Sequence, residues 1–131
     1  MLKPGILGKQ QVIVSHSNSA AAMGSGLLEV FSTPAMIALM ENAASGSVQK
    51  YLEPGKTTVG ISINAKHLSP TALGMTVECE SELLEVDGRR LVFKITAIDR
   101  MGVIGTATHE RMIIDAKPFM EKAAAKKDAK V

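Results

Sequence analysis

The stretch FSTPAMIALMENAASGSVQKYLEPG, residues 31–55, decides how this chain folds. Thr33 reads as an N-cap and Pro34 as the first helical residue, where a missing backbone N–H costs nothing. Ile37, Met40, Ala44 and Val48 follow at the spacing of one helix face. The pattern runs to Tyr51-Leu52 and stops before Glu53-Pro54-Gly55. Met and Ala dominate the apolar face, and small residues there let a neighbouring backbone come close. One long helix is therefore expected near the middle of the chain's first half.

Outward from that helix the pattern is that of strands. Residues 9–16, KQQVIVSH, read as a strand, and residues 17–26, SNSAAAMGSG, as a flexible loop able to close over a site. After the helix, residues 57–67 mix β-formers with polar residues and turn at Leu68-Ser69-Pro70. In residues 75–86, Val77, Cys79, Ser81 and Leu83 alternate with Thr76, Glu78, Glu80 and Glu82, giving one dry face and one wet face. Asp87-Gly88 is a hairpin signal. Residues 90–99 and 103–115 complete the set, with a turn at Arg100-Met101-Gly102. The order is strand, loop, helix, then about four strands joined mostly by hairpins. It predicts an α+β fold: an antiparallel β-sheet wrapped around one long α-helix. Such a layer leaves edges that pair with a second copy, so a homodimer, or a dimer of dimers, is expected.

Composition bounds the rest. With 131 residues, 46% hydrophobic and 21% charged, the chain has enough apolar material for one cored domain without a metal or disulfide staple. Residues 1–116 are read as that domain and 117–131 as a basic tail, a solvated or frayed helix. The tail carries five Lys against Glu121 and Asp128, and its +3 leaves the body at −1 of the chain's net +2. That balance, with aromatics at 3%, argues against a nucleic-acid partner. No run approaches the ~20 apolar residues of a membrane span. Residues 1–10, MLKPGILGKQ, lack the apolar core of a signal peptide. Cys79 is the one cysteine and sits in an apolar alternation, as a buried thiol in a reducing compartment would. The expectation is a cytoplasmic protein with no membrane partner.

Chemistry has few places to reside. Glu41 is the lone charge between Pro34 and Val48. Taken alone it reads as solvent-facing, because Glu is rarely buried unpaired; in a cleft it would suit general-base or nucleophilic work. His16 reads as surface. His109 alternates with Gly105, Ala107 and Arg111 and reads as a structural histidine facing the helix or a neighbour. His67 ends a strand beside a Ser-Pro turn. No phosphate-binding glycine pattern, no GxSxG elbow and no zinc spacing is present.

The run FSTPAMIALMENAA, with Glu41 eight residues after Thr33 and His67 a further 26 on, resembles the fluoroacetyl-CoA thioesterase family of hot-dog proteins. The flanking KHLSPTALGMTVECESEL and LLEVDGRRLVFKITAIDRMGVIGTATHERMII are similar to that family too, so the resemblance covers residues 8–115. It implies a hot-dog dimer with acyl-CoA sites at the subunit interface. It also implies a catalytic constellation of Thr33, Glu41 and His67. Glu41 would attack the thioester or activate water, His67 would handle the proton of the thiolate and of that water, and Thr33 would orient the acyl oxygen. Gly60, seven residues before His67, would permit close backbone approach to the acyl group. No metal or redox cofactor is implied; CoA enters with the substrate. The acyl chain does not carry over, and an aromatic lid over a very small acyl group is not evident. At 1.5 Å rise per residue, Thr33 and Glu41 lie about 12 Å apart along one helix, so they serve one carbonyl only across a two-fold axis. The alternatives are a non-catalytic acyl-CoA-binding hot-dog module and an enoyl-CoA hydratase of the same fold. The hydratase wants an Asp and a His near the helix start, and this helix start has neither.

Overall fold

The computed structural model describes residues 1–129. Strand β1 spans Leu7–Ile13, helix α1 Ala20–Met23, helix α2 Thr33–Val48, β2 Lys56–His67, β3 Thr76–Asp87, β4 Arg90–Asp99, β5 Gly102–Asp115 and helix α3 Ala116–Ala125. The five strands form one antiparallel sheet in the order β1–β3–β4–β5–β2, with α2 seated in its curl. The first strand thus lies two positions earlier than the reading of 9–16 and stops at Ile13. Chain direction breaks there because Ser15 caps a single 3-10 turn, His16–Asn18. Residues 17–26 are also more ordered than a flexible loop. Ser19 caps α1 by accepting from the Ala22 amide at 3.2 Å, and Gly24, at φ +71°, closes the turn left-handed.

Ser32, not Thr33, caps α2, accepting from the Ala35 amide at 3.1 Å. Thr33 and Pro34 are its first two residues, and a 3-10 turn, Gln49–Tyr51, ends it where Tyr51-Leu52 was expected. Its buried face is Met36, Leu39, Met40, Ala43, Ala44 and Val48. These meet Val77, Cys79 and Leu83 of β3, Phe93, Ile95 and Ala97 of β4, and Ile104 and Ala107 of β5. Ile37 is only partly buried, so the core stripe is rotated slightly from the predicted one. Burial pushes the Cys79 thiol up to about 12, so it stays a neutral thiol.

The β3 alternation holds, with Val77, Cys79, Ser81 and Leu83 inside. A bulge between Leu83 and Glu85 lets Glu85 face outward beside Leu84 and returns Val86 to the inner face. The hairpin turn is Gly88-Arg89, one position beyond the Asp87-Gly88 reading, because Asp87 still pairs with Arg90. β2 and β1 are the two edges, and β2 carries a bulge between Gly60 and Ser62. Helix α3 takes in the last residue of the predicted domain and the first part of the tail, and its side chains from 117 onward are exposed. No described helix is long and apolar enough to cross a membrane.

Two glycines let α2 sit so close to the sheet. A Cβ at Gly8 would stand 2.5 Å from the Ala43 carbonyl oxygen and 2.6 Å from Ser47 Cβ and Ser81 Oγ. A Cβ at Gly105 would stand 2.5 Å from Met36 Sδ and 2.9 Å from the Lys66 carbonyl. Met36 can swing aside; the α2 backbone at Ala43 cannot. Gly8→Ala should therefore lower unfolding free energy by about 1–3 kcal/mol, the usual scale of overpacking, read as a lower urea midpoint at unchanged m-value. An unchanged midpoint would mean that α2 is less tightly seated than these distances require.

Candidate active site

Two groups of side chains gather along α2, one at its N-terminus and one at its middle. At its N-terminus the Thr33 hydroxyl lies 2.8 Å from His67 Nδ1. Thr33 is free for this because Ser32 takes the capping role. His67 arrives on the last residue of β2, where the chain turns away toward Leu68-Ser69-Pro70. The pair lines a cavity of about 300 Å³ with Ala20, Val30, Ser69 and Pro70, between the start of α2 and the α1 segment. The helix N-terminus adds partial positive charge to this spot. His67 is partly buried, and its Nε2 is enclosed without a hydrogen-bond partner. Desolvation pushes its pKa down, against a smaller upward pull from the Ser69 backbone. At neutral pH it is an uncharged imidazole in contact with a hydroxyl, the arrangement that general-base work needs.

Two turns further along α2, Glu41 is neither solvent-free nor unpaired. Its side chain is 42% exposed, and Oε2 accepts from Arg111 Nη1 at 3.4 Å. Arg111 is only 6% exposed. Its Nε donates to Thr58 Oγ1 at 2.8 Å and its Nη2 to the Thr58 carbonyl at 2.9 Å. Desolvation lowers the Arg111 pKa and the Glu41 carboxylate raises it. A buried guanidinium needs an anion, and Glu41 is the one within reach.

Gly60, cross-strand from Arg111, completes the group. A Cβ there would stand 2.6 Å from Glu41 Oε2, 3.3 Å from His109 Cε1 and 3.4 Å from Arg111 Nη1. The glycine expected to admit an acyl group thus makes room for the Glu41 carboxylate. His109 is 1% exposed, with its Nδ1 2.8 Å from the Ser62 carbonyl and its Nε2 3.2 Å from Arg111 Nη1.

The structure therefore joins Thr33 to His67, and Glu41 to Gly60; no hydrogen bond links the two groups within the described chain. Arg111 and His109 are the residues missed as parts of the site. Their signal was the alternation Gly105, Ala107, His109, Arg111, which puts all four on the inner face of β5. His16, as expected, is exposed; it pairs with Glu29 at 2.6 Å.

The fold is a curled sheet on one helix, with a hydroxyl–imidazole pair at that helix's N-terminus and an arginine-held carboxylate two turns on. Its relatives are hot-dog thioester hydrolases. A family model described as "Fluoroacetyl-CoA-specific thioesterase" matches residues 14–117. The fluoroacetyl-CoA thioesterase of Streptantibioticus cattleyicolor is 41% identical over 101 residues, which is 77% of this chain and 73% of that protein. A variant of the fluoroacetyl-CoA-specific thioesterase, solved with fluoroacetate and CoA, superposes with a TM-score of 0.85 at 32% identity, over 90% of this chain and 99% of that one. A hot-dog-like protein from Thermanaerovibrio acidaminovorans gives a TM-score of 0.86 at 26% identity, over 98% and 94% of the two chains. The chain belongs to the fluoroacetyl-CoA-specific thioesterase family, and it is a thioesterase with the hot-dog fold.

The imidazole environments set a pH dependence. His109 is held below its ordinary value by burial first and by Arg111, against the Ser62 backbone, Glu41 and Glu110. His67 is lowered as well. Both return to about 6.5 on unfolding, so the unfolded chain binds more protons in acid. The stability they allow is complete above about pH 6.5 and is lost as pH falls below it. Urea midpoints at pH 8, 6.5 and 5.5 should fall toward acid, and less so in a His109→Gln variant; a midpoint that rises in acid would contradict these environments.

Proposed function

We propose that this protein hydrolyses a small or medium acyl-CoA to the free acid and CoA, as a cytoplasmic homodimer whose sites each combine two chains. The observation that carries this reading is the 2.8 Å Thr33–His67 contact on the same helix as the arginine-held Glu41. On a continuous helix the two groups are about 12 Å apart, too far to share one carbonyl within a chain. A two-fold axis that pairs β2 with its copy brings the Thr33–His67 group of one subunit toward Glu41 of the other. β2 supports this assembly: it is a 12-residue edge strand, and Ile61 in its bulge is 49% exposed. The buried free Cys79 favours the cytoplasm. The chemistry needs no cofactor beyond the CoA of the substrate.

In this mechanism the Thr33 hydroxyl and the α2 N-terminus hold the thioester oxygen as it gains negative charge. Glu41, with Oε2 held by Arg111, uses Oε1 to activate water or to attack the carbonyl carbon. His67 takes up the proton that the hydrolytic water releases and passes it to the departing CoA thiolate; where Glu41 attacks, the resulting acyl anhydride is opened by that same water. A second reading is favoured by the same 2.8 Å contact: Thr33 attacks the carbonyl and the C–S bond breaks, His67 passes the hydroxyl proton to the leaving CoA thiolate, and water then cleaves the acyl ester on Thr33. The relatives are named for fluoroacetyl-CoA. Here the cavity beside Thr33 is lined by Ala20, Val30, Leu68 and Pro70 and by one aromatic, Phe31. A mostly aliphatic lining of this kind suits a short or branched alkyl group as well as a fluorinated one.

Thiol release from fluoroacetyl-, acetyl-, branched and aromatic acyl-CoAs tests the activity, and absence of release across the panel would leave the acyl-CoA-binding module. Glu41→Gln and His67→Ala should each lower kcat by on the order of 10²–10⁴ with folding intact. Acid quench during turnover separates the two readings, since an acyl ester on Thr33 identifies it as the nucleophile. Refolding a Glu41→Gln subunit with a His67→Ala subunit tests the assembly. Random mixing gives about half heterodimers with one intact site each, so activity should return to roughly one quarter of wild type. Sites built within one chain would show no recovery.

A further inference from the structure

His109 is buried, titratable and so far without a role. It lies on β5 with Arg111 two residues on, Phe93 of β4 beside it at a ring-centroid distance of 6.2 Å, Ser62 of β2 across it and Glu41 of α2 in front. We infer that His109 is a positioning residue, which locks Arg111 against the Glu41 carboxylate and pins the β2 bulge beside Gly60. The inference rests on the reading of Glu41 as part of the active site.

Hydrogen-bond chemistry leaves one state for this ring. The Ser62 carbonyl only accepts, so Nδ1 must carry a proton and donate at 2.8 Å. Arg111 Nη1 only donates, so Nε2 must be bare and accept at 3.2 Å. Both conditions hold only for the neutral Nδ1–H tautomer. A protonated ring would point an N–H at a guanidinium, and the 4.0 Å approach of Nε2 to Glu41 would not offset that. Glu41, Glu110 and Arg111 are the charged groups around the ring, and burial and Arg111 both oppose its charging.

The neutral ring then does two things. Thr58 fixes Nε and Nη2 of Arg111, and His109 fixes Nη1 through an acceptor that carries no charge. That leaves the full positive charge of Arg111 for Glu41, whereas a carboxylate in the place of His109 would compete for it. Through Nδ1 the ring also holds the Ser62 carbonyl, and so the bulge that keeps the Gly60 backbone against Glu41 Oε2. Losing the Nε2 acceptor would leave a buried N–H of Arg111 unpaired and free the guanidinium to turn from a contact that is already 3.4 Å long.

The two ring nitrogens can be tested separately. In His109→Asn the amide reaches where Nδ1 was, keeping the donor to Ser62 and losing the acceptor for Arg111. In His109→Gln the amide reaches where Nε2 was, keeping that acceptor. His109→Asn should lower kcat by on the order of 10- to 100-fold with KM little changed, and lower the melting temperature by the few degrees that one unpaired buried N–H costs. His109→Gln, which gives up the Ser62 anchor of the bulge but keeps the acceptor for Arg111, should retain clearly more kcat than His109→Asn. Added to Arg111→Gln, His109→Asn should cost nothing further in kcat, because its route to Glu41 is already cut. Equal losses in the Asn and Gln variants, or an additive loss on Arg111→Gln, would reduce His109 to packing and overturn the inference. Nitrogen-15 spectra of the wild-type imidazoles guard against variants that fail to fold: the neutral Nδ1–H form of His109 at pH 6–8 is required, and an Nε2–H form overturns it. Glu41→Gln, run alongside, separates the failures. Full kcat in that variant removes the reading of Glu41 and the inference with it. An inactive Glu41→Gln beside a fully active His109→Asn overturns the inference alone.

Discussion

How closely α2 can approach the sheet decides where everything else lies. The helix presents Ala43 and Ala44 to the sheet, and β1 and β5 answer with Gly8 and Gly105. Side chains at those glycines would occupy space already held by the Ala43 carbonyl oxygen and Met36. Close seating lets larger residues further out, Met36, Met40, Phe93 and Ile104, fill the remaining space at full burial. It also fixes the helix in height. Thr33 is thereby brought level with the end of β2, where His67 emerges, and Glu41 with the middle of β2, where Gly60 leaves room for a carboxylate. The two chemical groups sit where they do because one helix has one seat.

Arg111 brings a second constraint, which is electrostatic. A guanidinium at 6% exposure is costly unless every donor and its charge are answered. Thr58 and His109 answer donors with neutral acceptors, and Glu41 answers the charge. Glu41 also keeps 42% of its side chain accessible, so one carboxylate serves as counterion on one side and stays available to solvent on the other. At the far group, the Thr33 hydroxyl and the uncharged His67 involve no full charge at all. Full charge is thus confined to one group, and the other is an uncharged hydroxyl–imidazole pair.

Much of this was legible from residue order, and the parts that were not have physical causes. The α2 helix, the β3 alternation and the final hairpins follow periodicities of 3.6 and 2, which the tertiary structure did not override. The N-cap was misplaced by one because Ser32 and Thr33 are both good caps; the choice fell to Ser32, and the Thr33 hydroxyl went to His67, 34 residues away. Helix α1 has four residues, too few for a periodic signal, and shows only through its Ser19 cap and left-handed Gly24. Glu41 read as solvent-facing because its partner lies 70 residues on, and Arg is by type an exposed residue. The alternation in β5 placed Arg111 and His109 inward, but only three-dimensional pairing shows that each makes the other's burial tolerable.

The edge strand links fold to function. β2 carries Thr58, Gly60, Ser62 and His67, so one strand supplies the support for Arg111, the space for Glu41, the anchor for His109 and the partner of Thr33. Only one side of β2 is paired, to β5. A lone edge strand of 12 residues is the least restrained place in a sheet for such a load, and the bulge at Gly60–Ser62 would loosen it further. Side chains from β5 compensate within the chain: Arg111 grips Thr58 on one side of the bulge, and His109 grips Ser62 on the other. Two buried polar residues on the neighbouring strand therefore clamp the edge strand at the point where its ladder is broken, and the same clamp orients the carboxylate of α2.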